Sequence, residues 1–229
     1  MQAAINTGLI SFGDWTLRVR ESRSENPRLL VLIHGWTGDE NSMWVFARGL
    51  SPDYWIIAPR APHPAQSSGF SWRPYQAETV GRPSLEAMKP AAEALIRLID
   101  EYSASVKLDA RQFDLMGFSQ GAAMVNLVGM LYPYKVRKMG VLAGFVPSGL
   151  EELVLQKPLS GKNIFVAHGT QDQMVPIHRA RASIDLLEQA GAQVTYCEDE
   201  VGHKLSANCL RALENYLSSP LGEGGEGQD

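Results

Sequence analysis

A serine between two glycines, Gly117-Phe118-Ser119-Gln120-Gly121, follows the short apolar run Phe113-Asp114-Leu115-Met116. Behind it, residues 121–132 carry apolar side chains at helical spacing and stop at Pro133. A Gly-x-Ser-x-Gly turn between a strand and a helix holds its serine in a strained backbone, with glycines where side chains would collide with neighbouring elements. The hydroxyl then stands clear of the strand ends. Because a serine hydroxyl is a weak nucleophile at neutral pH, it needs a base, usually an imidazole held by a carboxylate. Both follow in chain order. Asp172 ends His168-Gly169-Thr170-Gln171-Asp172, after the apolar run 164–168, and His203 stands in Gly202-His203 before the last helical stretch. Loops at the carboxyl ends of parallel strands lie side by side, so Ser119, Asp172 and His203 are the predicted catalytic set.

Acyl transfer also needs donors for an oxyanion, one from the residue after the nucleophile and one from the loop after the first central strand. Here these are the backbone N–H groups of Gln120 and of Trp36 in His34-Gly35-Trp36-Thr37-Gly38, with Thr37 as the alternative. Blander readings stand beside these. Ser119 could cap its helix, and Asp172 could cap a turn, leaving Asp199 or Glu198 as the acid. His34 is expected to brace the oxyanion loop and His168 to make a structural hydrogen bond, while His63 and His178 read as surface or loop residues. No histidine spacing fits a metal site, so no metal and no cofactor are expected. Trp72, Phe145, Met174 and Val175 line an acyl pocket or else belong to the core. Lys135, Arg137 and Lys138 read as a solvated basic face.

The elements that must position these residues alternate. Residues 15–20 alternate apolar and polar like a half-exposed edge strand, whereas 29–34, 54–58, 139–143 and 164–168 are continuous apolar runs suited to buried parallel strands. Residues 194–197 read as a last strand. Helices are expected over 84–102, with a kink or restart at Pro90, and over 177–189 and 206–217. The fold class is therefore α/β, a single domain over residues 1–219 with a mostly parallel sheet covered on both faces. The Gly- and Glu-rich residues 220–229 read as a disordered tail.

Composition narrows the function classes. The 229 residues are 45% hydrophobic and 20% charged, with a formal charge of −4, so there is no basic footprint for nucleic acid. No apolar run approaches a membrane span, which argues against integral membrane association, and the first residues lack the pattern of a signal peptide. Cys197 and Cys209 do not make a disulfide framework, and such usage suits a reducing compartment; cytoplasmic is the default expectation.

Several ordered motifs together resemble the phospholipase/carboxylesterase family of α/β-hydrolases, which includes acyl-protein thioesterases and small bacterial carboxylesterases. These are His34-Gly35, Ala58-Pro59-Arg60-Ala61-Pro62, Gly69-Phe70-Ser71-Trp72, Gly117–Gly121, Ala143-Gly144-Phe145-Val146-Pro147, His168–Asp172 with Val175-Pro176, and Gly202-His203. The resemblance implies an α/β-hydrolase fold with a minimal cap. It implies hydrolysis of short- to medium-chain carboxylic esters, thioesters or lysophospholipids through an acyl-enzyme, without a cofactor. The His-Gly-x-x-Gly form of the oxyanion loop is similar to the bacterial branch and departs from the eukaryotic thioesterases. The implied partner is a small-molecule ester or thioester, and a homodimer is compatible with it. Two rivals stay open: a peptidase or lactone hydrolase using the same triad, and a catalytically silent ligand-binding protein of the same fold.

Overall fold

Apolar runs with no polar face can satisfy their backbone groups and hide their side chains only inside a sheet covered on both sides. The computed structural model describes residues 7–79 and 81–219 and contains such a sheet. Its eight strands are β1 (Thr7–Phe12), β2 (Trp15–Arg20), β3 (Arg28–Ile33), β4 (Tyr54–Pro59), β7 (Phe113–Phe118), β8 (Val136–Leu142), β9 (Asn163–Gly169) and β10 (Gln193–Asp199). The two-residue strands β5 (His63–Pro64) and β6 (Phe70–Ser71) form a separate antiparallel pair. The sheet order is β1-β2-β4-β3-β7-β8-β9-β10, and all neighbours from β4 to β10 run parallel.

Side chains alternate between two cores, as the period of two along a strand requires. On β3, Leu29, Val31 and Ile33 enter one core, with α2 (Leu85–Ser105), α3 (Gln120–Leu131) and the Leu187 end of α5 (Ile177–Gln189). Leu30 and Leu32 enter the other, beside Ala47 of α1 (Trp44–Ala47) and Leu213 and Leu217 of α6 (Ala207–Ser218). The region after β8 holds only the five-residue α4 (Glu151–Leu155), so no large cap covers the strand ends.

Four expectations change. Residues 15–20 are not the edge: β1 pairs antiparallel outside them, and its mostly exposed side chains gave no apolar pattern to read. Helix α2 runs through Pro90 without a restart; Pro90 sits early in the helix on its exposed face, where the carbonyl it leaves unbonded can be hydrated. The basic face is not solvated. Arg137 donates to both oxygens of the fully buried Asp114, at 2.8 and 2.9 Å, and Tyr54 Oη donates to Asp114 at 2.6 Å. Lys138, 3% exposed, donates to the carbonyls of Tyr216 and Leu217 at the C-terminal end of α6, where a cation complements the helix dipole.

The fourth change concerns Cys197 and Cys209, which form a disulfide from β10 to α6. The expectation of a reducing compartment loses the support it drew from these two cysteines. Among the described residues no helix is long and apolar enough to cross a membrane. The predicted tail, 220–229, lies outside the described residues.

Candidate active site

Ser119 sits between β7 and α3 with φ 56° and ψ −116°, a left-handed φ that costs a non-glycine residue energy and persists only when packing imposes it. Packing does impose it. A Cβ on Gly117 would overlap the Gly121 carbonyl, and one on Gly121 would overlap the Ile33 carbonyl, so the turn fits against β3 only with glycine at both places. The Ser119 side chain makes no capping hydrogen bond to α3, which removes the helix-cap reading.

Asp172 is 5% exposed and uses both carboxylate oxygens. Oδ1 accepts from the N–H groups of Met174 and Val175, at 2.8 and 2.9 Å, while Oδ2 accepts from His203 Nδ1 at 2.6 Å. Turn-capping and imidazole-holding are therefore both true of it. Asp199, the alternative acid, is tied up locally: its carboxylate accepts from the Glu200 N–H. The His203 ring packs on Phe118 at 4.8 Å between centroids, directly beside Ser119. No hydrogen bond joins the Ser119 hydroxyl to the imidazole among the described residues, and in such sites that bond commonly tightens only around substrate.

The loop after β3 makes a tight turn closed by Gly38 N–H donating to the Gly35 carbonyl at 3.0 Å, with Thr37 at φ 67°. The Thr37 N–H is already spent on the Phe70 carbonyl at 3.0 Å. Trp36 N–H has no backbone acceptor among the described residues, and Gln120, first residue of α3, carries one of the N–H groups a helix start leaves unbonded. His34 braces this loop. Its Nδ1 donates to the Gly35 carbonyl at 2.7 Å and its Nε2 accepts from the Ala61 N–H at 3.0 Å. That arrangement needs a neutral ring, and burial holds the His34 pKa below its ordinary value. His168 does make a structural bond, donating from Nε2 to the Val175 carbonyl at 2.8 Å.

A cavity of about 230 Å³ is lined by Trp36, Ser119, Gln120, Phe145, Met174 and Val175. Trp72 is not among its walls. It is fully buried, donating from Nε1 to the His34 carbonyl at 2.8 Å, while its N–H donates to Gln120 Oε1 at 3.0 Å. So Trp72 supports the loop instead of meeting an acyl chain. The sequence reading missed Arg73, Tyr75 and Arg179 on the cavity wall, and nothing in their spacing marks them. It also missed Glu40, 2% exposed, whose two oxygens accept from Arg60 at 2.7 and 3.0 Å and so tie the loop after β3 to the segment after β4. Among the described residues no cluster of His, Cys, Asp and Glu could hold a metal ion.

Residues 16–221 match the family model described as phospholipase/carboxylesterase. The chain belongs to that family. Within reach of the family are a carboxylesterase, SOBER1, of Arabidopsis thaliana, 30% identical over 47% of this chain and 48% of its own, and acyl-protein thioesterase 1 of Debaryomyces hansenii, 26% identical over 90% and 96%. The chain thus spans about half the length of the plant relative it matches. A solved carboxylesterase from Mesorhizobium loti superposes with a TM-score of 0.78 at 23% identity, covering 94% of this chain and all of that one, which fits the shared α/β-hydrolase fold.

Proposed function

We propose that this member of the phospholipase/carboxylesterase family hydrolyses carboxylic esters or thioesters with short acyl chains through an acyl-enzyme on Ser119. The observation that carries this reading is the 2.6 Å bond from His203 Nδ1 to buried Asp172, with the imidazole packed beside a serine held at φ 56°. In the proposed cycle His203 Nε2 takes the Ser119 proton as Oγ adds to the ester carbonyl. Asp172 fixes the imidazole tautomer and stabilises the imidazolium. The N–H groups of Trp36 and Gln120 receive the oxyanion, a contribution typically worth about 10²–10³ in turnover per donor. Trp36 is preferred over Thr37 because the Thr37 N–H already has an acceptor. His203 then protonates the leaving alkoxide or thiolate, and next activates the water that releases the acid and restores Ser119.

The modest cavity argues for short chains, being smaller than the roughly 300 Å³ at which pockets for drug-sized ligands begin. The test is turnover of p-nitrophenyl acetate, butyrate and dodecanoate. Acetate and butyrate should exceed dodecanoate in kcat/KM, and Ser119→Ala should lower turnover of each by at least ~10³-fold. Full turnover by Ser119→Ala would refute the nucleophile assignment.

A further inference from the structure

The two proposed oxyanion donors sit on different elements, Trp36 on the loop after β3 and Gln120 at the start of α3. Such donors work when both lie about 2.7–3.1 Å from one developing oxygen, so the spacing between their elements must be fixed. The segment 69–72 is bonded to both. Toward the loop, Thr37 N–H donates to the Phe70 carbonyl at 3.0 Å and Phe70 N–H to the Gly38 carbonyl at 2.9 Å, an antiparallel bridge. Trp72 Nε1 adds its bond to the His34 carbonyl at 2.8 Å. The approach is so close that a Cβ on Gly69, at φ 68°, would overlap the Thr37 carbonyl.

Toward α3, the Gln120 side chain grips the same segment with both atoms of its amide. Oε1 accepts from the Trp72 N–H at 3.0 Å, and Nε2 donates to Ser71 Oγ at 3.1 Å. Ser71 Oγ donates to the Arg73 carbonyl at 2.7 Å, which spends its one proton and leaves it an acceptor toward Gln120. Ser71 and Trp72 are buried, so the Trp72 N–H is costly to leave unpaired. A residue needed only for its backbone N–H could carry any side chain. This side chain instead spans two elements.

Resting on the ester-hydrolase reading above, we propose that the Gln120 side chain is a positioning residue for the oxyanion hole: it clamps Ser71 and Trp72, which hold the loop after β3, and so sets the spacing between the Trp36 and Gln120 N–H groups. The path from one donor to the other is continuous, through the Gln120 amide, the backbone from Trp72 to Phe70, and the bonds from Phe70 to Thr37 and Gly38. The clamp acts on the donors and not on the acyl chain. Its loss therefore costs transition-state stabilisation and leaves substrate binding nearly as it was.

The test is hydrolysis of p-nitrophenyl butyrate and of its thiono analogue, in which sulfur replaces the carbonyl oxygen and accepts hydrogen bonds poorly. Well-placed oxyanion donors favour the oxygen ester. The kcat/KM ratio of ester to thionoester thus reports on the hole and is independent of how much of the protein is folded. Gln120→Met fills a similar volume without hydrogen bonds and keeps the backbone N–H. Its kcat for the ester should fall about 10- to 100-fold, the cost of misplacing a reacting group by about 1 Å, with KM changed by less than about 2-fold. The ester-to-thionoester ratio should fall with it. Ser71→Ala removes the acceptor of Nε2 and spares the Trp72 bond, so it should show a smaller change of the same kind. In the double variant the two effects should be less than additive, since both break one clamp. An unchanged ratio in Gln120→Met, or a loss that appears in KM instead of kcat, would overturn the proposal. Should Gln120→Met not fold, Ser71→Ala decides by the same ratio. Wild-type protein that hydrolyses neither compound would sink the ester-hydrolase reading and the clamp with it, whereas wild-type turnover with an unchanged variant ratio sinks the clamp alone.

Discussion

At the scale of single residues, the site depends on geometry that few substitutions can preserve. Asp172 is the sharpest case, because Oδ2 receives His203 while Oδ1 closes the turn at Met174 and Val175. Asp172→Asn keeps the size but can offer an N–H to the imidazole, reversing its tautomer; we expect kcat to drop by about 10³- to 10⁴-fold with little change in melting temperature. Steady-state kinetics beside a thermal melt would check this, and an activity near wild type would transfer the role to another acid. The Gly121→Ala variant should fail differently. Its Cβ would meet the Ile33 carbonyl, so β3 and the Ser119 turn must part, and loss of activity should come with a lowered melting temperature. Ser119, Asp172 and His203 were legible as residue types in order along the chain. Arg179 was not, since an arginine in the first turn of a helix reads as ordinary surface until the fold turns it to the cavity.

Elements matter through what they tie down. The disulfide from β10 to α6 closes a 12-residue span that contains His203. Replacing both cysteines with serine releases that span, which on loop-closure grounds costs about 2–3 kcal/mol. We expect a lower melting temperature and a larger fall in turnover than in binding to Ser119→Ala protein, because the freed loop carries His203, the proposed general base. Equal stability with and without a strong reductant would show the bridge to be dispensable. The Glu40–Arg60 pair tethers the loop after β3, the proposed oxyanion loop, in the same way. The Arg60 hydrogen bonds hold the Glu40 pKa below its ordinary value, against the opposing pull of burial. A carboxyl with a lowered folded pKa contributes stability that is present above its unfolded value, near 4.5, and is lost as pH falls through the folded value. Arg60→Gln removes that support, so its acid unfolding midpoint should lie above that of the wild type in a fluorescence titration. Helical and buried-strand periodicity made most of these elements readable. β1 escaped because an edge strand with exposed side chains carries no pattern, and the disulfide escaped because residues 197 and 209 meet only after α6 folds back onto β10.

Over the whole molecule, two buried histidines set a common sensitivity. Burial lowers the pKa of His34 and of His168 below their ordinary 6.5, so the unfolded chain takes up protons that the folded protein refuses. Stability should therefore be full above about pH 6.5 and decline as pH falls below it. Protonating His34 Nε2 would also displace the Ala61 N–H it accepts, loosening the loop after β3. Denaturant midpoints measured from pH 8 to 5 should decrease, and His34→Asn should flatten part of that slope. A midpoint independent of pH over this range would contradict the assignment of neutral rings.

What the sequence by itself determined was the alternation of strands and helices, the glycine-bounded serine, and the order of Asp172 and His203 after it. These are local or ordinal properties, carried by residue type and spacing. Only the tertiary structure decided which faces met: that Trp72 braces His34 instead of lining the cavity, that Lys138 ends α6 instead of facing water, and that Arg73 and Arg179 share a wall with Ser119. Each depends on elements far apart in the chain packing at one angle and one register. A side chain's neighbours across such a contact are fixed by the whole core, and no window of sequence contains it.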